Sequence, residues 1–307
     1  MYSYTITQWL FFFYFYCFFG WCFESTYVSL RKRHPVNRGF MRGPFLPLYG
    51  SGAVMMLVVS MPFQDNLFLT YVAGCIGATV LEYVTGVAME ALFKVRYWDY
   101  SNQKFNFRGQ ICLSSTLAWG GLTILMTRVA HKPIERLVLG IPADILTAAV
   151  SLLTVYIVVD FTLSFKAAID LRDILVKMEA AREELERVQK RLDVIIALSN
   201  EEREVRKRER SGKMDELAAG IEERLLHLKE KLANGVSVYP DSIREEISEL
   251  RFKYRLNAEK RTQLTSLKDF YKRQMLKGNP TMVSRKFGDM LRELQENVEE
   301  THKDDIG

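Results

Sequence analysis

From Trp9 to Leu30 the chain runs for 22 residues with a single charge, Glu24, in a background of Phe, Tyr, Trp, Leu and Cys. A helix needs about 20 such residues to cross a bilayer. In hydrocarbon every backbone N–H and C=O must be paired, and a lone apolar run does this only as a helix. Four more apolar stretches follow, near Phe45–Met61, Leu67–Phe93, Ile111–Val129 and Leu139–Phe165. The first run is too long for the apolar part of a signal peptide, and no basic residue precedes Arg31. It therefore reads as a span, not a cleaved leader.

The mean hydropathy of −0.05 averages two unlike halves. Up to Phe165 the chain holds 12 of its 42 Lys and Arg, 8 of its 37 Asp and Glu, and every Trp and Cys. The other 30 basic and 29 acidic residues lie beyond. The expected fold class is all-α: a polytopic membrane helix bundle of about five spans over residues 1–165, then a long cytoplasmic helical, coiled-coil domain over residues 166–307. A net charge of +5 implies no nucleic-acid partner; the lipid bilayer is the first partner expected.

Charge bias orients the bundle. Arg31, Lys32, Arg33, Arg38 and Arg42 follow the first span, and Lys94, Arg96, Lys104 and Arg108 follow the third. The positive-inside rule makes that side cytoplasmic, with the N-terminus outside and the C-terminal domain inside. Arg128, Lys132 and Arg136 after the fourth span oppose this, three residues against nine. A re-entrant fourth or fifth span would remove the conflict.

The stretch Asn37–Gly52, NRGFMRGPFLPLYGSG, places two arginines, two prolines and four glycines between two apolar runs. It reads as an irregular entrance to a short second span. Acidic residues inside apolar runs need partners or a water-lined path. Glu82, Gly86 and Glu90 recur every four residues, on one side of a helix. Gly74 and Ala78 form a small-residue pair suited to close packing. Two readings stand together: Glu24, Glu82 and Glu90 line a substrate path, or they form structural ion pairs with Arg38, Arg42 or Arg108. In the loop KVRYWDYSNQKFNFRGQI, Asp99 and Asn106 can hold a turn or cap a helix, and Trp98 and Tyr100 suit an interfacial belt.

The FFGWCFE run ending at Glu24, NRGFMRGPFLPLYGSGA, EYVTGVAME from Glu82 to Glu90, and WDYSNQKFNFRGQI together resemble a family of small bacterial membrane proteins. These are the CmpB-like proteins known as putative ABC-transporter permeases. The resemblance covers roughly Gln8 to Phe165 and implies an integral membrane protein of several spans.

Beyond Lys166, Leu171, Ile174, Met178, Ala181, Leu185, Val188, Leu192 and Ile195 follow a heptad and predict a coiled-coil seam, in a homodimer or an intrachain hairpin. Met214, Leu217, Ile221, Leu225, Leu228 and Leu232 mark a second amphipathic stretch, ended by Asn234-Gly235. A third stretch follows Pro240, with Ile243, Ile247, Leu250, Tyr254, Leu264 and Leu267. Gly278-Asn279-Pro280 reads as its break, and Phe287, Leu291 and Leu294 mark a last short helix. The tail offers self-association or a protein partner.

No GxxxxGK[ST], HExxH or GxSxG motif occurs, and the four histidines are scattered. No catalytic, cofactor-binding or metal-ligating residue is assigned, and an enzyme is not expected. An ABC-type permease of this kind requires a separate ATPase subunit. The alternative is a membrane-anchored scaffold or sensor that recruits cytoplasmic partners.

Overall fold

The computed structural model describes residues 4–198, 219–226, 241–265 and 269–304, and among them helix dominates. Helix α1 spans Ile6–Lys32. Thr5 and Gln8 cap its start reciprocally: the Thr5 hydroxyl accepts from the Gln8 N–H at 3.3 Å, and the Gln8 amide oxygen from the Thr5 N–H at 2.9 Å. Arg33, with φ 58°, ends it in the left-handed region, and Pro35 follows.

Residues 37–46 are non-helical, the irregular entrance expected, while helix α2, Pro47–Ser60, is short and runs unbroken through Gly50 and Gly52. Pro47 occupies the first turn, where a missing N–H costs nothing. Gly50 instead serves close approach to α1, since a Cβ there would stand 2.4 Å from Cys17 Sγ. Helix α3, Leu67–Phe93, is capped by the Asn66 side chain, which accepts from the N–H groups of Phe68 and Leu69.

Residues 94–112 carry a small antiparallel hairpin, β1 (Asn106–Phe107) against β2 (Ile111–Cys112), turned by Arg108 and Gly109 at positive φ. Helix α4, Leu113–Leu125, passes through a π turn at Met126–Ala130 into α5, His131–Leu139. Pro133 supplies the reason, because its ring clashes with the carbonyl of Val129 and its missing N–H breaks the ladder. The residues expected to link spans four and five are thus helical, and the irregular helix is the fourth apolar stretch, not the second.

Helix α6 runs from Ala143 to Leu198, 56 residues, so the expected domain boundary at 165/166 falls inside one helix. No Gly or Pro occurs between those ends. Beyond it, residues 219–226 (α7), Asp241–Thr265 (α8), Phe270–Gly278 (α9) and Gly288–Asp304 (α10) are helical.

Two compact units result: Met1–Arg172 with Asp269–Lys286 and His302–Gly307, and Asp173–Lys268 with Phe287–Thr301. In the first, α2 packs between α1 and α3, and α3 against α4. Phe12, Tyr16 and Cys17 of α1, Leu57 of α2, Val138 of α5 and Val150 of α6 share a buried core. The outward faces are apolar: Phe23, Ile76, Val84, Leu152 and Val155 are all exposed, while Ser60, Thr70, Glu82, Thr123 and Asp160 are buried. That distribution suits lipid, not water, as surroundings. Three helices among the described residues are long and apolar enough to cross a membrane: Ile6–Lys32, Leu67–Phe93 and Ala143–Ile195, while α2 and α4 are shorter.

In the second unit Met178, Leu185, Val188, Leu192 and Ile195 are buried, as are Ile221, Ile247, Leu250, Leu291 and Leu294. Leu171 is buried, as the heptad placed it, but at the next position Leu175 is fully buried and Ile174 only partly, so the seam shifts by one residue there. Intrachain ion pairs lace it: Arg182 to Asp289 at 3.1 Å, Arg224 to Asp193 at 2.9 Å, and Arg191 to Glu246. The expected contacts at Met214, Leu217, Leu228, Leu232 and Leu267, and the stops at Asn234-Gly235 and Pro240, lie outside the described residues.

Candidate functional site

The carboxylates of the first unit divide into paired and unpaired. Glu24, on α1, meets Arg38 Nε at 3.2 Å and accepts from the Tyr49 hydroxyl of α2. The Arg38 backbone N–H is tied to the Ser25 hydroxyl at 3.1 Å, which fixes the turn that aims its guanidinium. Of the cations offered to Glu24 by the sequence, Arg38 is the one that reaches it.

Glu90, near the end of α3, is held by Arg96 at 2.7 Å and by the Gln110 amide at 2.7 Å. The same Arg96 lies 3.4 Å from Asp99, which also accepts from the Ser101 N–H at 3.0 Å. Asn106 donates to the carbonyls of Ser101 and Gln103 and accepts from the Gly109 N–H. Asp99 and Asn106 therefore hold the loop and cap no helix. Arg108 places its guanidinium 5.6 Å from the Phe107 ring. Arg96, charted in the sequence only as loop charge, does the pairing expected of Arg108.

Glu82 differs. It is buried, 6% exposed, and three neutral donors face it. The Tyr100 hydroxyl donates at 2.9 Å, the Trp119 indole at 2.9 Å, and the Ser115 hydroxyl lies at 3.4 Å. Ser115 also meets the Cys112 carbonyl at 2.9 Å, the shortest of its hydroxyl contacts. No ion pair to Glu82 occurs among the described residues. Ser115 and Trp119 stand four apart on one face of α4, a spacing legible in the sequence, but nothing local says that this face meets Glu82. Gly86, one turn on, leaves room for Gln110: a Cβ there would stand 2.2 Å from its amide oxygen.

Residues 269–286 complete this edge. Arg38 donates to the Gly278 carbonyl at 3.2 Å, to Asn279 Oδ1 at 2.9 Å and to the Thr281 hydroxyl at 3.2 Å. Arg42 stacks 4.5 Å above the Phe270 ring and 5.3 Å from that of Tyr271, so it grips this segment and not Glu24 or Glu82. Arg96 and Val283 exchange backbone hydrogen bonds at 2.7 and 3.0 Å. Asn279 is 1% exposed, and Met275, Leu276 and Met282 are buried. The sequence marked Gly278-Asn279-Pro280 as a break between helices and missed it as a docking segment. The structure thus gathers Glu24, Arg38 and Arg42 with residues 269–286, and Glu90, Asp99, Asn106 and Arg108 with the 94–112 loop, while Glu82 stands in its own neutral cage.

A family model described as "putative ABC-transporter type IV" matches residues 11–165. The match contains Glu24, Glu82, Glu90 and their partners in that range, and stops short of residues 269–286. No curated protein and no solved structure matches the chain.

Proposed function

On the premise that this chain belongs to the putative ABC-transporter type IV family, we propose that it is the permease-like membrane component of a transport system, driven by an ATPase on a separate chain. The observation that carries the reading is Glu82: a carboxylate buried among apolar helices with only neutral donors around it. Carboxylates in membranes pair with a partner or face a water-filled path, and Glu24 and Glu90 each take an arginine here. A carboxylate left to Tyr, Trp and Ser donors retains capacity for a proton or a cationic group in transit. The test is Glu82→Gln in the full chain, which keeps size and hydrogen bonding. Loss of transport with expression intact supports the path, and normal transport removes it.

The topology that goes with this reading has about five spans, the N-terminus outside and the tail cytoplasmic. Its support is that both basic loops, through Arg38 and Arg96, contact the same segment, residues 278–283, and so share one edge. The chain acts in this reading without catalytic residues of its own.

One observation favours the second reading, a membrane-anchored scaffold or sensor. Helix α6 joins the apolar Leu146–Ile157 face to the Leu175–Ile195 seam without a break. Pull-down of the full chain in mild detergent separates the two. A co-purifying ATPase supports the permease; an envelope or signalling protein in its place supports the scaffold.

A further inference from the structure

We infer that the hairpin of residues 102–112 is a lipid-binding element. It takes an anionic phospholipid with its phosphate at Lys104 and Arg108 and an acyl chain along Phe105 and α4. The inference needs the membrane embedding of the chain but not the transport reading.

The hairpin lies at membrane depth. Tyr83 lies ten residues before the end of α3, about 15 Å back along the helix at 1.5 Å per residue. Its ring stands 5.6 Å from that of Phe107. The hairpin therefore folds back beside the span instead of projecting from its end. Counted from Leu67, about 20 residues of α3 fill the hydrocarbon core. Tyr83 and the rings against it belong at the margin of that core.

The hairpin presents aromatic rings there. Phe105 is 81% exposed and Phe107 is 54% exposed. Phe105 holds φ 53°, a conformation that costs energy for a residue with a side chain, and its carbonyl is fixed by the Leu113 N–H at 3.3 Å. The fold thus turns an aromatic ring outward at a cost. Leu113 and Leu117 of α4, both exposed, line one open groove of about 520 Å³ together with Lys104, Phe105 and Ser114. Asn102 and Gln103 line its polar side, so the groove joins the exposed leucines of α4 to the polar and basic start of the hairpin.

The hairpin is also basic. Lys104 and Arg108 are exposed on the same hairpin, and no Asp or Glu occurs between Asp99 and Glu135. Aromatic rings at headgroup depth flanked by cations match a phosphate above and a chain below. A soluble anion would meet the cations and leave the groove and Phe105 unexplained.

The test uses the full chain in nanodiscs, with Phe105→Trp introduced and its emission taken as the difference from the parent. Bromines are placed on the acyl chains of either phosphatidylglycerol or phosphatidylcholine, at equal mole fraction in a mixture of the two. The added emission should be quenched at least twofold more when the bromines ride on phosphatidylglycerol. Lys104→Glu with Arg108→Glu should bring the two lipids to parity, and the milder Lys104→Gln should lower the ratio part-way. Unchanged emission from the native tryptophans reports an intact fold in each variant. Equal quenching before any charge change overturns the anionic assignment. An emission that neither lipid quenches overturns the lipid contact itself.

Discussion

Asn279 donates its side-chain amide to the Gly39 carbonyl at 2.9 Å, across 240 positions of sequence. The same amide donates to the Met275 carbonyl at 2.9 Å, and its oxygen accepts from Arg38. Every polar atom of this buried side chain is thereby matched, which is how a polar residue at 1% exposure is tolerated. The turn it caps is part of the membrane unit and not a spacer within the tail.

Gly278, next to it, leaves no room for a side chain: a Cβ would lie 2.4 Å from the Asn37 carbonyl oxygen. Gly278→Ala should therefore lower the stability of the first unit by about 1–3 kcal/mol, read as a drop in Tm in detergent. Gly288→Ala, where nothing lies within 4 Å, is the control and should leave Tm nearly unchanged. Equal effects at the two glycines would refute the close approach.

Arg38 serves Glu24 and three acceptors of residues 278–281 at once. In a double-mutant cycle, Arg38→Met and Glu24→Gln should couple by about 0.5–3 kcal/mol. Thermal unfolding of the four proteins measures it. Simple additivity would mean that Arg38 acts through residues 278–281 alone.

The donors around Glu82 rank by geometry. Tyr100→Phe and Trp119→Phe each remove a 2.9 Å bond to a charged or proton-sharing carboxyl and should cost about 1.5–3 kcal/mol. Ser115→Ala should cost less, because its 3.4 Å contact to Glu82 is secondary to the Cys112 carbonyl. Denaturation midpoints in that order support the cage; Ser115→Ala as the most damaging change contradicts it.

In the second unit, Leu175→Ala should cost about 2–5 kcal/mol and Ile174→Ala distinctly less, since only Leu175 is fully buried. The reverse order would restore the seam to the position that the heptad gave it.

Arg191 holds the Glu246 carboxyl below its ordinary 4.5 by a hydrogen bond that outweighs slight desolvation. With the folded value below the unfolded one, this stabilisation is present above about pH 4.5 and is lost as the pH falls through the folded value. The Tm gap between the parent and Arg191→Met should thus be open near neutrality and close on acidification. A gap that widens in acid would contradict the pairing.

Much of the membrane unit was legible because its signals are local. Apolar run lengths gave α1 and α3, and the four-residue spacing of Glu82 and Gly86 gave a buried face that the structure keeps. Glu24 was matched to a short set of cations that included its partner. What escaped was non-local or turned on one atom. Lys166 marks a change of composition, yet charge does not stop a helix, and α6 passes it because no Gly or Pro stands there. The glycines and prolines of Asn37–Gly52 suggested an irregular entrance, which holds only as far as Leu46; Pro47 fell at the first turn and Gly50 at a packing contact, where neither breaks the helix. The irregular turn came at Met126–Ala130, ahead of Pro133. Gly278-Asn279-Pro280 carries the same residues whether it merely ends a helix or docks on Arg38, and its partners are hundreds of positions away.

The docking of residues 269–286 on the Arg38 turn also sets a clock for biosynthesis. Arg38 leaves the ribosome 241 positions before Asn279. At 5–20 residues per second the interval is about 12–48 s. Throughout it the edge around Glu24 and Arg96 faces its surroundings unfinished, with the acceptors for Arg38 not yet made. Residues 173–268 must be translated before residues 269–286 can close this edge, so a chain stalled short of Lys286 exposes an incomplete membrane edge to the proteases and chaperones of the cell.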